Sequence, residues 1–363
     1  MKIFLKSFVF LLVSVAFVYL MTATHLVNWS ALYEAFFNAP ALILLVAFFQ
    51  IGVVIFATIR YYLLLKAMHV RVDIFHVMAA TTVGNGLGQW FPGSLAFIEA
   101  IRLALMLGSR YKEVSGAAAD STSPLRAKLA AVALFDRILG YFVMLLLSII
   151  VGGFALWLEV SGEAASTTTR LWELSFFILL SFFFALLCVL LPLFSGSIRF
   201  HKLLLIVKKV LLHVSQKHFW QRLVTRIFTE IESVLYAINL AKKRPKSFFV
   251  PLCVSFGSVL FTAGGTYYAA HALGAHIGFI PLIATVSLIS LANILPLGLG
   301  GIGGVQLVAA FSLGIFGVSF ESAASAQLLQ TAVNLVAISF LSILFLRSSK
   351  GQFVNMTKLL LRK

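Results

Sequence analysis

Five ionisable side chains lie inside or beside apolar stretches long enough to cross a bilayer: Arg60, Glu99, Arg102, Asp136 and Arg137. An ionised group at that depth costs about 3 kcal/mol or more unless it is paired or wetted, so such residues mark polar pathways or buried ion-pair networks. Glu99 and Arg102 are three residues apart, which places them on one helix face within pairing reach. Asp136 and Arg137 are adjacent and diverge by about 100° around a helix, so neither satisfies the other well. Cross-pairing of Arg137 with Glu99, or of Asp136 with Arg102, neutralises them economically. Guanidinium forks match phosphate geometry, so the chemistry on offer is the binding of an anionic headgroup. A structural salt-bridge network that holds its helices in place is the alternative.

Other chemistry finds no candidate. The eight histidines show no metal-ligand spacing, and Cys188 and Cys253 both lie within apolar runs. No Ser/His/Asp set or carboxylate pair is present, so the expectation is a non-enzyme with no catalytic residues, metal or cofactor. The glycine-rich segments lack the Gly-Lys-Ser/Thr ending of a nucleotide loop. A formal charge of +16 without a zinc-finger, RRM or helix-turn-helix pattern argues against nucleic acid; it follows the positive-inside rule instead.

The elements that carry these residues are membrane helices. The 363 residues are 61% hydrophobic and 11% charged, with a mean hydropathy of +1.03. A span needs about 20 apolar residues. Full spans are predicted at Ile3 to Met21, Pro40 to Leu65, Leu129 to Leu158, Leu174 to Phe194, Phe248 to Leu273 and Gln327 to Leu346. Two further apolar stretches, 75–107 and 277–316, are broken near their middles, from Gly84 to Gly93 and from Asn293 to Gly304. Gly and Pro together do not continue a regular helix cheaply.

Flanking charge sets an orientation. The segment from Ser195 to Ser247 and the tail beyond Arg347 are strongly basic, and the opposite loops hold Glu34, Glu159, Glu163, Glu173 and Glu321. The basic loops and the C-terminus are therefore expected in the cytoplasm, with the chain in the plasma (inner) membrane. Parity then makes each broken stretch return to the side it came from, as a re-entrant helical hairpin. The expected fold is all-α and polytopic, about six full spans plus two re-entrant hairpins in an inverted-repeat arrangement. As one transmembrane domain, it comprises an N-terminal anchor helix and external loop (1–39) and a first repeat (40–158). A connecting span with a basic segment (159–247), a second repeat (248–347) and a basic tail (348–363) follow. The N-terminal run is read as a retained signal-anchor rather than a cleaved signal peptide. Residues 199–226 alternate apolar and basic positions, as either an amphipathic helix on the cytoplasmic leaflet or an ordinary basic loop. Hairpin tips at mid-depth need a polar cavity around them, and that cavity belongs between the two repeats.

Pro92-Gly93-Ser94-Leu95 with Glu99-x-x-Arg102, then Phe135 to Gly140, then Leu295-Pro296 with Gly300-Gly301-Ile302-Gly303, resemble the flippase-like transmembrane region of lysylphosphatidylglycerol synthases. The resemblance runs from about Ile43 to the tail and rests on the order and spacing of short motifs. It implies movement of an anionic phospholipid or lipid-linked glycan between leaflets. No synthetase domain follows Lys363, so lysyl transfer is not expected of this chain. Two departures concern charge: Gln306 stands where the family's second glycine motif usually ends in an acid, and Gln330 lies where the last helix often carries an arginine. The second repeat is left without an intramembrane charge. The candidate binding set joins Arg60, Glu99, Arg102, Asp136 and Arg137 to Asn85, Pro92 and Gly93 of the first tip. From the second come Asn293, Pro296, Gly300, Gly301 and Gln306. Membrane lipids with anionic headgroups are the expected partners. The competing class is a non-transporting partner that scaffolds a glycosyltransferase or another lipid-modifying enzyme.

Overall fold

Apolar length decides the architecture. The computed structural model describes residues 27–91, 94–108, 122–160, 246–292 and 303–348, with isolated positions elsewhere. These form an all-helical chain with no strand among the described residues. The first half has a short α1 (Trp29–Asn38), then α2 (Pro40–Ala67), α3 (Ile74–Gly88), α4 (Ser94–Gly108) and α5 (Thr122–Val160). The second has α6 (Lys246–Ala272), α7 (Phe279–Ala292), α8 (Gly304–Gly314) and α9 (Phe320–Ser348). Four of these, α2, α5, α6 and α9, contain windows long and apolar enough to cross a membrane. The protein is therefore a multi-pass membrane protein. The spans expected at Ile3 to Met21 and Leu174 to Phe194, and the basic segment between the halves, lie outside the described residues.

Each half runs long, short, short, long. At 1.5 Å per residue the 15 residues of α3 or α4 and the 14 of α7 reach only about 22 Å, well under the roughly 30 Å of a bilayer core. The long helices exchange partners between the halves: α2 packs on α6, α9 packs on α3, and α5 packs on α7. The two exchanged contacts use the same device. Ser342 of α9 donates to the Thr82 carbonyl of α3 at 2.8 Å, and Ser148 of α5 donates to the Ala284 carbonyl of α7 at 2.5 Å. Small hydroxyl residues let helix backbones approach where lipid offers no hydrophobic drive between them.

Several boundaries differ from the sequence reading. The first break begins at Gln89 rather than at Gly84, because α3 continues as helix through Gly84, Gly86 and Gly88. Those glycines serve packing: a Cβ on Gly86 would collide with the Ser342 hydroxyl and lie 2.8 Å from the Ile338 carbonyl, and one on Gly88 would sit 2.6 Å from the Ile98 amide. Helix α9 starts at Phe320, seven residues before the expected Gln327, because its first turns are Ala- and Ser-rich and escape a hydropathy window. Glu321 in that first turn suits the positive end of the helix dipole. Helix α5 likewise begins at Thr122, so Arg126 and Lys128 ride on the helix rather than precede it. The expected external loop before Pro40 contains α1, whose Asn28 side chain accepts from the Ala31 amide at 2.9 Å as an N-cap.

Candidate functional site

The middles of α2, α5, α6 and α9 enclose a cavity of about 280 Å³. Gln50, Asp136, Thr262 and Gln330 each lie at least ten residues from the nearer end of their helix, about 15 Å along it. One wall is ionic. Asp136 is fully buried and accepts from Arg60 Nε at 2.5 Å through Oδ1 and from Arg102 Nη1 at 3.4 Å through Oδ2. Glu99 accepts from Arg137 Nε at 2.7 Å and lies 3.5 Å from Arg102 Nη1. Both cross-pairings expected between α4 and α5 thus form, and adjacent Asp136 and Arg137 point to different partners. Arg60, which the sequence left without a partner, joins α2 to α5 and reaches Ser255 of α6 at 3.3 Å.

Local sequence builds this wall. Gly140 stands one helical turn after Asp136, and a Cβ there would lie 3.0 Å from Arg60 Nη1. Its missing side chain is the space the guanidinium occupies. Arg102 is 1% exposed, and its guanidinium carbon sits 4.5 Å from the ring centre of Tyr61, a cation–π contact in a desolvated setting. Among the described residues, three guanidiniums face two carboxylates, which leaves one positive charge.

The opposite wall is neutral. Thr266 donates to Gln330 Oε1 at 2.6 Å, and Gln330 Nε2 donates to the Thr262 carbonyl at 3.1 Å. Asn334 donates to Gln89 at 3.0 Å, which ties α9 to the turn after α3. Gln50 and Gln327 line the cavity, and their buried Nε2 and Oε1 atoms have no hydrogen-bond partner among the described residues. Gly265 makes the room here: a Cβ would collide with Gln50 Nε2 and lie 3.0 Å from Gln330 Nε2.

The candidate residues divide accordingly. Arg60, Arg102, Asp136, Arg137 and Asn85 line the cavity, and Glu99 braces it from behind. Asn85 Nδ2 is engaged with the Thr81 carbonyl at 2.8 Å. Gln306 does not line it: its Oε1 caps α8 by accepting from the Gly303 amide at 2.7 Å, and its Nε2 donates to Thr331 at 3.4 Å. Pro92 and Gly93, and Asn293, Pro296, Gly300 and Gly301, have no described side-chain environment. Sequence reasoning missed Gln50, Gln327, Asn334 and Gly265. A polar residue mid-span on each of α2 and α9 was the available signal. Among the described residues, no cluster of His, Cys, Asp and Glu could hold a metal ion.

A polytopic helical membrane protein with a buried, charge-lined cavity between two similarly built halves is the class that fold and site define. The model of the lysylphosphatidylglycerol synthase transmembrane region matches residues 7–342, and the chain belongs to that family. It has no significant match among curated proteins or solved structures.

Proposed function

We propose that this protein moves lipids with anionic headgroups between leaflets through the cavity between its halves. The observation that carries the reading is the ionic wall: a fully buried Asp136 and a nearly buried Arg102 in a membrane protein, beside open volume rather than sealed by packing. Charges kept at that depth are costly, and among the described residues three paired guanidiniums share two carboxylates. A phosphate entering the cavity exchanges its hydration for fixed donors.

In this reading α3–α4 and α7–α8 are re-entrant hairpins, and the halves form an inverted repeat whose swapped packing supports rocking about the cavity. The basic segment before α6 and the tail face the cytoplasm of a plasma-membrane protein, by the positive-inside rule. Cysteines placed near Glu163 and Glu321 then label from outside, and those near Lys209 and Lys350 do not. Labelling of all four from one side contradicts the inverted arrangement. The reading assigns the chain no catalytic step.

Purified protein in liposomes, with acyl-labelled anionic phospholipid, tests the function. Movement between leaflets faster than in empty liposomes is expected. Rates equal to empty liposomes across anionic phospholipids and lipid-linked glycans favour the other class, a membrane partner for a lipid-modifying enzyme.

A further inference from the structure

Two kinds of helix seam surround the cavity. Between α2 and α6 the seal is aromatic rings set into glycine notches. A Cβ on Gly52 would collide with the Phe261 ring, one on Gly257 with Phe56, and one on Gly264 with Phe49. The three pairs share one antiparallel register along the two helices. The rings also touch one another: Phe261 lies 5.1 Å from both Phe49 and Phe56, centre to centre. Helices in lipid are held by this kind of van der Waals fit, and drawing α2 off α6 would empty three notches at once.

The seam between α3 and α9 is polar instead. One end is tight, where Ser342 donates to the Thr82 carbonyl at 2.8 Å and Gly86 has no room for a Cβ. At the other end Asn334 donates to Gln89 at 3.0 Å, and Trp90 Nε1 donates to Ser339 at 2.9 Å. Gln89 and Asn334 line the cavity, yet the next residue, Trp90, is 56% exposed, with Phe91, Val336 and Phe340 exposed around it. Among the described residues, one layer of hydrogen-bonded side chains thus runs from cavity to outer surface. Gln89 and Trp90 also lie past the end of α3, in a turn with backbone bonds of 3.1–3.3 Å. The α5–α7 seam has no such edge, since Ser148 and Ser287 bond at 2.6 Å and are fully buried. Amide and hydroxyl bonds exchange partners at low net cost when a polar headgroup offers the same donors and acceptors. Rings in notches have no such substitute.

We propose that the α3–α9 seam is the lateral gate of the cavity, latched by Gln89 with Asn334 and by Trp90 with Ser339, while the α2–α6 seam stays closed. A headgroup in the cavity takes over the bonds of Gln89 and Asn334, and the turn after α3 swings about the Gly86–Ser342 contact. The acyl chains stay in the bilayer through the gap. The proposal rests on the transport reading for what passes, not for which seam opens.

The test uses the full chain with Cys188 and Cys253 changed to serine, and keeps every latch residue. Phe91→Cys with Phe340→Cys places thiols on the exposed neighbours of the latch, and Phe48→Cys with Leu260→Cys does so beside the ring seam. Bridging the first pair with a short reducible bis-thiosulfonate should slow leaflet exchange of labelled phosphatidylglycerol about tenfold or more, because gating then limits the rate, and reductant should restore it. Bridging the second pair should leave exchange as it was. Nitroxides on the same thiols read opening without any transport: dipolar broadening should weaken at 91–340 when phosphatidylglycerol is added to phosphatidylcholine liposomes, and hold at 48–260. Exchange that survives the first bridge, or falls equally with both, overturns the gate and leaves the transport reading standing. If the parent itself moves no lipid, the transport reading fails and the nitroxides decide: weakening at 91–340 alone supports the gate, and broadening fixed at both pairs overturns it. Trp90→Phe with Ser339→Ala removes donor and acceptor together and should weaken the 91–340 broadening without added phosphatidylglycerol. Unchanged broadening in that variant contradicts the latch.

Discussion

The cavity's two walls share helix α2, yet they are built from different chemistry. The wall around Asp136 is ionic, shared among α2, α4 and α5, and each charge has a partner. The wall around Gln330 is neutral, shared among α2, α6 and α9, and keeps two unpartnered amide atoms. Ion pairs at depth are rigid because breaking one strands a charge, whereas neutral amides re-pair at low cost. One wall therefore anchors and the other adapts. The glycines show the same split: Gly140 gives room to a guanidinium in a network, and Gly265 to the ends of two flexible amides.

The sharpest break between the walls is Asp136→Ala. It strips Arg60 of its carboxylate and leaves Arg102 only the longer pair with Glu99, and a loss of about 3–5 kcal/mol is expected. Thermal unfolding in detergent reads it, with low yield beside it. Asp136→Asn with Arg60→Gln should recover stability without recovering lipid exchange; normal exchange in that double variant makes the network purely structural. Gly86→Val comes next, since the added atoms meet the Ile338 carbonyl as well as the Ser342 side chain and α3 must shift off α9. About 1–3 kcal/mol of overpacking is expected, in the same unfolding assay.

A matched pair sharpens the comparison further. Gly140→Ala presses on Arg60 and should lower the melting temperature as well as exchange. Gly265→Ala presses on the ends of the Gln50 and Gln330 amides, so exchange should fall several-fold with stability within about 1 kcal/mol of the parent. Equal stability losses would mean that the amide wall is as fixed as the ionic one. Gly153→Ala is the control, because no described residue lies within 4 Å of the added atom. It should leave exchange alone and raise stability by up to about 1 kcal/mol through helix propensity.

The same contrast explains what was legible in the sequence. Charges are so rare in the apolar stretches that a cross-pairing of Arg137 with Glu99, or of Asp136 with Arg102, could be anticipated as the economical way to neutralise them. Arg60 was visible as a residue, but its partner was not, because the contact spans 76 positions. Neutral amides such as Gln50 and Gln327 barely disturb a hydropathy window and commonly serve helix packing, so their convergence needed three dimensions. Glycine was legible as a break near residue 84, but the backbone there is helical, and close approach of α4 at Gly84 and Gly88 and of α9 at Gly86 is its cause. The helix starts at Thr122 and Phe320 were hidden because polar and small residues extend helices beyond the apolar core.

The most direct test of the central claim blocks the cavity itself. Ala57 lines it from α2 between the two walls, and Ala57→Cys, with Cys188 and Cys253 changed to serine, offers a single thiol there. A bulky maleimide at that thiol should abolish lipid exchange in liposomes, while the unmodified variant keeps the rate of the cysteine-free parent. Full modification with exchange unchanged would show that lipid does not pass between the halves.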